Sequence, residues 1–470
     1  MALDRRDLLT TLGAAAALAR GQGAMAAGPA GGSAPPGDTD YFLSATNPVA
    51  NVDQRDLEAL ALDLMQSGEM AAARKRCAYL WRAVVEYDAG PAVMQSFEAM
   101  IDEFCFRAAL LAANSDAAHP RVLRLYTPPA QWFGRSLPGS RWGGDNPDNC
   151  YRIIPVDAGG TFELHGRRDA HPASYVTYQI VADTSTSQAL GALEGADVET
   201  GADGRFVITL DGTPAGGRRN HLPLPPGSRY LFIRDSVGDW SAQTPNWLRV
   251  VRTDAGGGAA PAGTRLLAER AAEAAVGDVP RAYWVMRLFH NSPTNTFIPP
   301  RPASGSGGMI SNVQESTGCS TLVAPDEALI VTANDAGAAY RSLVYHDYWF
   351  RTVEPGQRQT CYNNAQMQPD ASGEYTFVVA HRDPGVANWI DSAGQEKGVL
   401  LFRWQGLPPD RGKGRPHIAT RLVKLADLPA ALPSGVARMT PAARGRQMEE
   451  RRAGYARRYA VGGTPPARVL

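Results

Sequence analysis

Tyr375-Thr376-Phe377-Val378-Val379-Ala380 leads into His381-Arg382-Asp383-Pro384-Gly385-Val386-Ala387-Asn388-Trp389-Ile390-Asp391, and Val399-Leu400-Leu401-Phe402-Arg403-Trp404 follows. The flanking runs are rich in β-branched and aromatic residues, a pattern that favours strands. Pro384-Gly385 marks the turn between them, because proline presets φ and glycine supplies the positive φ of a type II turn. An imidazole, a guanidinium, two carboxylates, a carboxamide and an indole crowd around that turn. Polar loops carried by apolar strands are common places for binding and catalysis. The same residues also suit a plain connection whose Asp and Asn side chains cap their own backbone.

Working outward, 470 residues are too many for one core and point to two or three domains. The 48 glycines and 35 prolines favour short strands with frequent turns after the N-terminal third. Lys+Arg and Asp+Glu balance at 47 each, so no net field recruits nucleic acid, and nucleic-acid binding is not expected. After the N-terminus no apolar run is long enough to span a bilayer. Five cysteines (Cys77, Cys105, Cys150, Cys319, Cys361) contain no C-x-x-C pair and form no zinc or iron–sulfur cradle. An oxidising compartment would allow one or two disulfides among them; buried thiols are the simpler reading.

The N-terminus reads as an address. Arg5-Arg6 precedes a weak apolar stretch, Thr10–Ala19, and the small residues up to Ala27. That order is a twin-arginine export signal, so residues 1–27 are expected to direct the chain to the periplasm. Residues 28–40 are a Gly/Pro/Ser/Ala linker. Residues 41–120 carry apolar stripes at three- and four-residue spacing and form a helical unit, with Asp53 as its first N-cap and Pro91 in the first turn of its third helix. From Arg121 the period becomes strand-like.

Residues 121–254 predict a first β-sandwich of short antiparallel strands, and residues 255–282 a linker with a short connector helix over Thr264–Val276. Residues 283–430 predict a second β-sandwich, and 431–470 a basic C-terminal helix and tail that reads as solvated. The expected fold is therefore mainly β. Two matches at one offset suggest that the sandwiches are diverged copies. Gly204–Ile208 aligns with Gly373–Phe377, and Tyr230–Arg234 with Val399–Arg403, both 169 positions apart (373 − 204 and 403 − 234). Arg234 and Arg403 would then be equivalent.

Several chemistries are set aside for want of their motifs: H-E-x-x-H, the G-x-S-x-G elbow, the P-loop and the dinucleotide fingerprint. Eight scattered histidines lack metal-ligand spacing, and no metal is expected; His346, Asp347 and His381 are the loosest candidates for one. No cofactor is expected either, although the twin-arginine route also carries proteins already loaded with one. What remains is general acid–base work. His381, Asp383 and Asp391, with His346 and Tyr348, are the candidate catalytic residues, because a His beside a carboxylate is tuned for proton transfer near neutral pH. Arg403, Arg234, Asn388, Trp389, Asn363 and Trp240 are the candidate substrate-binding residues, the arginines for an oxyanion or carboxylate and the aromatics for stacking.

Further blocks recur in a known order: Pro325–Thr332, Tyr340 with Tyr345–Phe350, and Gln359-Thr360-Cys361-Tyr362-Asn363-Asn364-Ala365-Gln366. The opening stretch follows, then Leu401-Phe402-Arg403-Trp404, and upstream stand Gly144-Asp145-Asn146-Pro147-Asp148-Asn149-x-Tyr151 and Tyr230–Arg234 with Gly238-Asp239-Trp240. Together they resemble the bacterial domain-of-unknown-function family numbered 1214. That resemblance implies a jelly-roll-like β domain in exported or envelope-associated, often oligomeric proteins. Ser241-Ala242-Gln243-Thr244 stands where relatives carry an acidic residue after the tryptophan, which puts any role of that carboxylate in doubt here. The expectation is an exported enzyme of lyase, isomerase or hydrolase type acting on a small organic or sugar substrate. The alternatives are a non-catalytic carbohydrate- or envelope-binding module and a structural homo-oligomer.

Overall fold

A computed structural model describes residues 38–183, 188–258, 260–305, 309–410, 412 and 414–463. The expected export signal and most of the expected linker lie outside the described residues. Residues 37–470 cluster as one unit.

Helices come first. After α1 (Asp38–Tyr41), α2 (Val52–Met65) is capped by Asn51, whose side chain accepts from Gln54 N at 2.9 Å. Asp53, the expected cap, sits in the first turn and instead accepts from the Tyr41 hydroxyl and Val122 N. Ser67 caps α3 (Gly68–Val85), and α4 (Gly90–Met94) places Pro91 in its first turn. In α5 (Phe97–Ala113) the predicted apolar positions Phe97, Ile101, Phe104, Cys105 and Ala108 are buried.

The first half then folds into strands. β1 (Leu123–Leu125) is followed by the small hairpin β2 (Ala130–Trp132) and β3 (Arg135–Leu137). Next come β4 (Asn149–Pro155), β5 (Phe162–Arg167), β6 (Tyr175–Val181) and β7 (Ala189–Glu194). β8 (Arg205–Asp211), β9 (His221–Pro223), β10 (Tyr230–Ser236) and β11 (Trp247–Arg252) complete it. One sheet runs β1-β4-β10-β6-β7 and the other β11-β5-β8-β9. Ile154, Tyr178, Ile180, Leu231 and Ile233 of the first meet Phe162, Leu164, Ile208 and Leu248 of the second in one apolar layer.

The connector is longer than expected. α6 (Thr264–His290) continues through Gly277 and Pro280, residues that ordinarily signal a stop. Its buried stripe of Leu267, Ala268, Ala271, Ala275, Val279, Ala282 and Met286 joins the same core as α2, α3 and α5. Small residues let the helices approach closely, and that packing outweighs the lost proline hydrogen bond. The chain is therefore mixed α/β, with 27% helix against 31% strand, rather than mainly β.

The second half adds β12 (Arg301–Ser304), β13 (Ile310–Leu322), β14 (Glu327–Ala333), β15 (Tyr340–His346) and β16 (Cys361–Asn363). It ends with β17 (Tyr375–Ala380), β18 (Trp389–Asp391), β19 (Lys397–Gln405) and β20 (Ile418–Lys424). Its sheets run β12-β13-β19-β15-β16 and β18-β17-β14-β20. Taken in chain order, this repeats the strand order of the first half, down to a short parallel pair in each, β8 with β9 and β17 with β18. Arg234 lies opposite Tyr151 and Thr177, and Arg403 opposite Ser316 and Ser342, at the same place in the two central strands.

After α7 (Leu428–Ala431), α8 (Pro441–Ala456) is capped by Thr440. It is not a solvated basic helix. Arg444 and Arg451 are buried, the first bonding to the carbonyls of Val386 and Ala387, the second to those of Pro355 and Arg358 and to Cys361 Sγ. No helix among the described residues is long and apolar enough to cross a membrane.

Candidate functional site

The side chains of the loop after β17 are bonded to its own backbone and to neighbouring segments. His381 is half-buried and its Nε2 lies 2.8 Å from the Val323 carbonyl. Asp383 accepts from Gly385 N and from Arg444 of α8 at 2.9 Å. Asn388 donates to the Gln368 and Thr376 carbonyls and accepts from Gln368 N, so both ends of its carboxamide are engaged by backbone. Trp389 donates to Ala380 O, and Asp391 pairs with Arg358 at 3.0 Å while accepting from Ala393 N. The expected His/Asp catalytic cluster does not form. Short polar side chains beside a turn found backbone partners first, as Asn and Asp do in turns.

His346 and Tyr348 do not join it either. The imidazole of His346 is fully buried, with Nε2 at 2.8 Å from the Asp145 carbonyl. Burial first, and then the charge of Arg403, push it down to about 3, so it is a neutral ring at ordinary pH. Tyr348 lies beyond the end of β15 and donates to Asp88. Among the described residues no group of three or more His, Cys, Asp or Glu could hold a metal ion, and all five cysteines are buried thiols.

A second polar centre grows from Gly143-Gly144-Asp145-Asn146-Pro147-Asp148-Asn149, the loop that runs into the first residue of β4. Asp148 is fully buried and accepts from Trp240 Nε1 at 2.7 Å, Tyr340 OH at 2.6 Å and Asn363 Nδ2 at 2.8 Å. Asn146 donates to Tyr340 and Ser342, and Asp145 accepts from Thr352. A loop of the first half is thereby latched to the second. Trp240 and Asn363, expected to bind substrate, serve this latch. Arg451 and Arg458 lie over the Trp240 ring at 4.4 and 5.1 Å, so its faces are occupied too.

Arg234 and Arg403 behave differently. Leu231 and Ile233 of β10, and Leu400, Phe402 and Trp404 of β19, point into the two apolar layers. Alternation therefore turns Arg234 and Arg403 to the opposite faces, where the five-stranded sheets meet each other. Ser236 Oγ lies 3.0 Å from Gln405 Oε1, positions again 169 apart (405 − 236), and Gln179 exchanges two hydrogen bonds with the backbone of Ile310. The meeting face is polar, which is why β13, Ile310-Ser311-Asn312-Val313-Gln314-Glu315-Ser316-Thr317-Gly318-Cys319-Ser320-Thr321-Leu322, carries no strong apolar alternation and was not anticipated as a strand.

This seam opens to solvent beside Arg403. Ser316, its neighbour across β13, is exposed, and Arg403, Tyr126 and Phe289 are half-buried. Arg403 donates through Nη2 to the Gly144 carbonyl at 2.5 Å, while its buried Nη1 has no partner. Gly144 itself, at φ +74, leaves room that a Cβ would take from Phe350 and Leu401. Arg234 stands over Phe232 at 4.0 Å and Tyr151 at 5.9 Å. Burial first, with Arg403 as a like charge, pushes it down to about 10. Tyr126, a non-glycine residue at φ +59, packs against Tyr151 and Phe232 at 5.1 and 6.0 Å. The unpartnered Nη1 of Arg403, beside the flat rings of this face, forms an arrangement that can take an anionic group on an apolar body.

No family model matches the chain, and no curated protein matches it. Among solved structures, an uncharacterised protein from Burkholderia cenocepacia is similar, with a TM-score of 0.65 at 23% identity over 78% of this chain and 99% of its own. A protein from Vibrio parahaemolyticus gives a TM-score of 0.34 at 9% identity, over 59% of this chain and 90% of that one. The first likeness shows the fold, a mixed α/β chain of paired antiparallel sheets under an N-terminal helical layer.

Proposed function

We propose that the protein is an exported small-molecule-binding protein, whose ligand is an organic anion with a flat apolar body held in the seam between the five-stranded sheets. The observation that carries this reading is Arg403, whose buried Nη1 lacks a partner while no described carboxylate pairs with the side chain. Arg234 stands at the equivalent position, and Tyr126, Tyr151 and Phe232 supply the apolar wall. On this reading the two sheet pairs are diverged copies of one jelly-roll-like sandwich, supported by the shared strand order and the 169-residue offset, and the resemblance to family 1214 extends over both. The twin arginines support export to the periplasm.

Binding is favoured over proton-transfer catalysis because His381, Asp383 and Asp391 are committed to structural partners and His346 is held neutral in the interior. A lyase, isomerase or hydrolase would have to draw its acid or base from the tyrosines of the seam. The test is calorimetric titration of the full chain with benzoate and acetate. Benzoate is expected to bind more tightly than acetate, and Arg403→Gln to weaken benzoate by about tenfold or more. His381→Ala should leave the titration unchanged. Equal benzoate affinity in the wild type and Arg403→Gln would overturn the proposal.

A further inference from the structure

On the helical side of the molecule, α5 and α6 line an open cleft of about 220 Å³. Phe104, Ala108, Leu111, Ala274 and Ala275 supply apolar walls, and Gly277 leaves the mouth open, since a Cβ there would meet nothing within 4 Å. Arg107 and Asp278 line the same cleft and form an ion pair across it, through Arg107 Nη2 and Asp278 Oδ2. Arg107 is 3% exposed and stacks on Trp142 at 4.8 Å, which holds its guanidinium in place.

The pair leaves polar atoms over. Arg107 Nε and Nη1 and Asp278 Oδ1 are buried and have no partner. Buried polar groups are ordinarily satisfied, and three unsatisfied atoms on one ion pair beside an open cleft are unusual for a purely structural contact. Their chemistry is specific. Arginine offers only donors and the carboxylate only acceptors, so the missing partner must both accept and donate. The pair is neutral overall, and Arg281, the other charged residue lining the cleft, pairs with Asp183 at 3.3 Å, so the lining gives a charged ligand little net attraction. We propose that this cleft is a second binding site, for a neutral small molecule carrying a donor–acceptor group such as a primary carboxamide on an apolar body. The site does not depend on the anion reading of the seam, because it uses other elements and takes a neutral ligand instead of an anion.

The experiment is ligand-observed saturation-transfer NMR on the full chain with benzamide, benzoate and benzylammonium as matched probes. Benzamide is expected to receive saturation and to titrate. Gly277→Phe, which fills the mouth while replacing a poor helix former, should weaken benzamide by about tenfold. Asp278→Asn keeps the shape but replaces an acceptor edge by an amide, and should weaken it too. Arg403→Gln should leave benzamide unchanged, whereas Gly277→Phe should leave benzoate at the seam unchanged, so either site can fail alone. Should Gly277→Phe not fold, Ala274→Leu narrows the same cleft from an exposed position. The proposal is overturned if folded wild-type protein gives benzamide no saturation, which would assign water alone to the pair. It is equally overturned if benzamide binding survives the filled cleft, or if a charged probe binds there more tightly.

Discussion

His346 shows how one buried residue couples stability to pH. Its folded value is depressed to about 3 from an ordinary 6.5, because burial penalises the imidazolium and Arg403 stands nearby. The unfolded chain therefore takes up the proton first as pH falls. The contribution to stability is complete above about 6.5 and is lost progressively toward 3. Asp145, whose carbonyl His346 meets, works in the opposite direction: burial raises its carboxyl to about 6, so its contribution is present below about 3.8 and fades as pH rises through 6. His346→Asn retains a donor for the Asp145 carbonyl but cannot be protonated. Its melting temperature should fall less steeply than the wild type's between pH 6.5 and 4.5, and a parallel fall would contradict the assignment. His381 offers the contrast of a half-buried ring with one backbone bond, worth about 1 kcal/mol at most.

Among the elements, α8 is the one whose role the composition misrepresents. Four arginines against two glutamates, with Arg457 and Arg458 directly after the helix, read as a solvated or partner-seeking face, yet the buried ones are spent on backbone carbonyls of the body. Arg444 also reaches Asp383 and the Tyr362 hydroxyl, and so ties the turn after β17 to the C-terminal helix. Arg444→Ala should cost about 2–4 kcal/mol in urea unfolding, because it strands buried acceptors. Arg452, on the exposed face of the same helix, should change stability by less than about 0.5 kcal/mol when replaced by alanine. Equal effects would show that α8 is not held by its buried arginines. α6 was misjudged for a related reason: Gly277 and Pro280 are local stop signals, and only its neighbours α3 and α5 make the longer helix worthwhile.

For the molecule as a whole, the decisive feature is that both five-stranded sheets turn their second faces toward each other. Asp148 is the latch, collecting donors from Trp240 in the first half and from Tyr340 and Asn363 in the second. Asp148→Ala would strand three buried donors and should cost about 3 kcal/mol or more. Hydrogen exchange should then speed up in both β10 and β19; a change confined to one half would mean that the halves are not coupled through this carboxylate.

Much of this was legible in the residues. Short runs of β-branched and aromatic residues between turn signals marked the strands of both halves, and three- and four-residue apolar stripes marked the N-terminal helices, because burial against a core imposes those patterns. The common offset paired Arg234 with Arg403. What the chain could not state by itself is where the second faces go. β13 is polar because its outer face meets another polar sheet, and Gly144 must be small because Phe350 and Leu401 close on it from 200 residues away or more. The loop from His381 to Asp391, conspicuous for its side chains, is occupied by backbone groups, by Arg358 and by α8. The two arginines were readable as equivalent residues, but only the packing of one sheet pair against the other brings them to one seam.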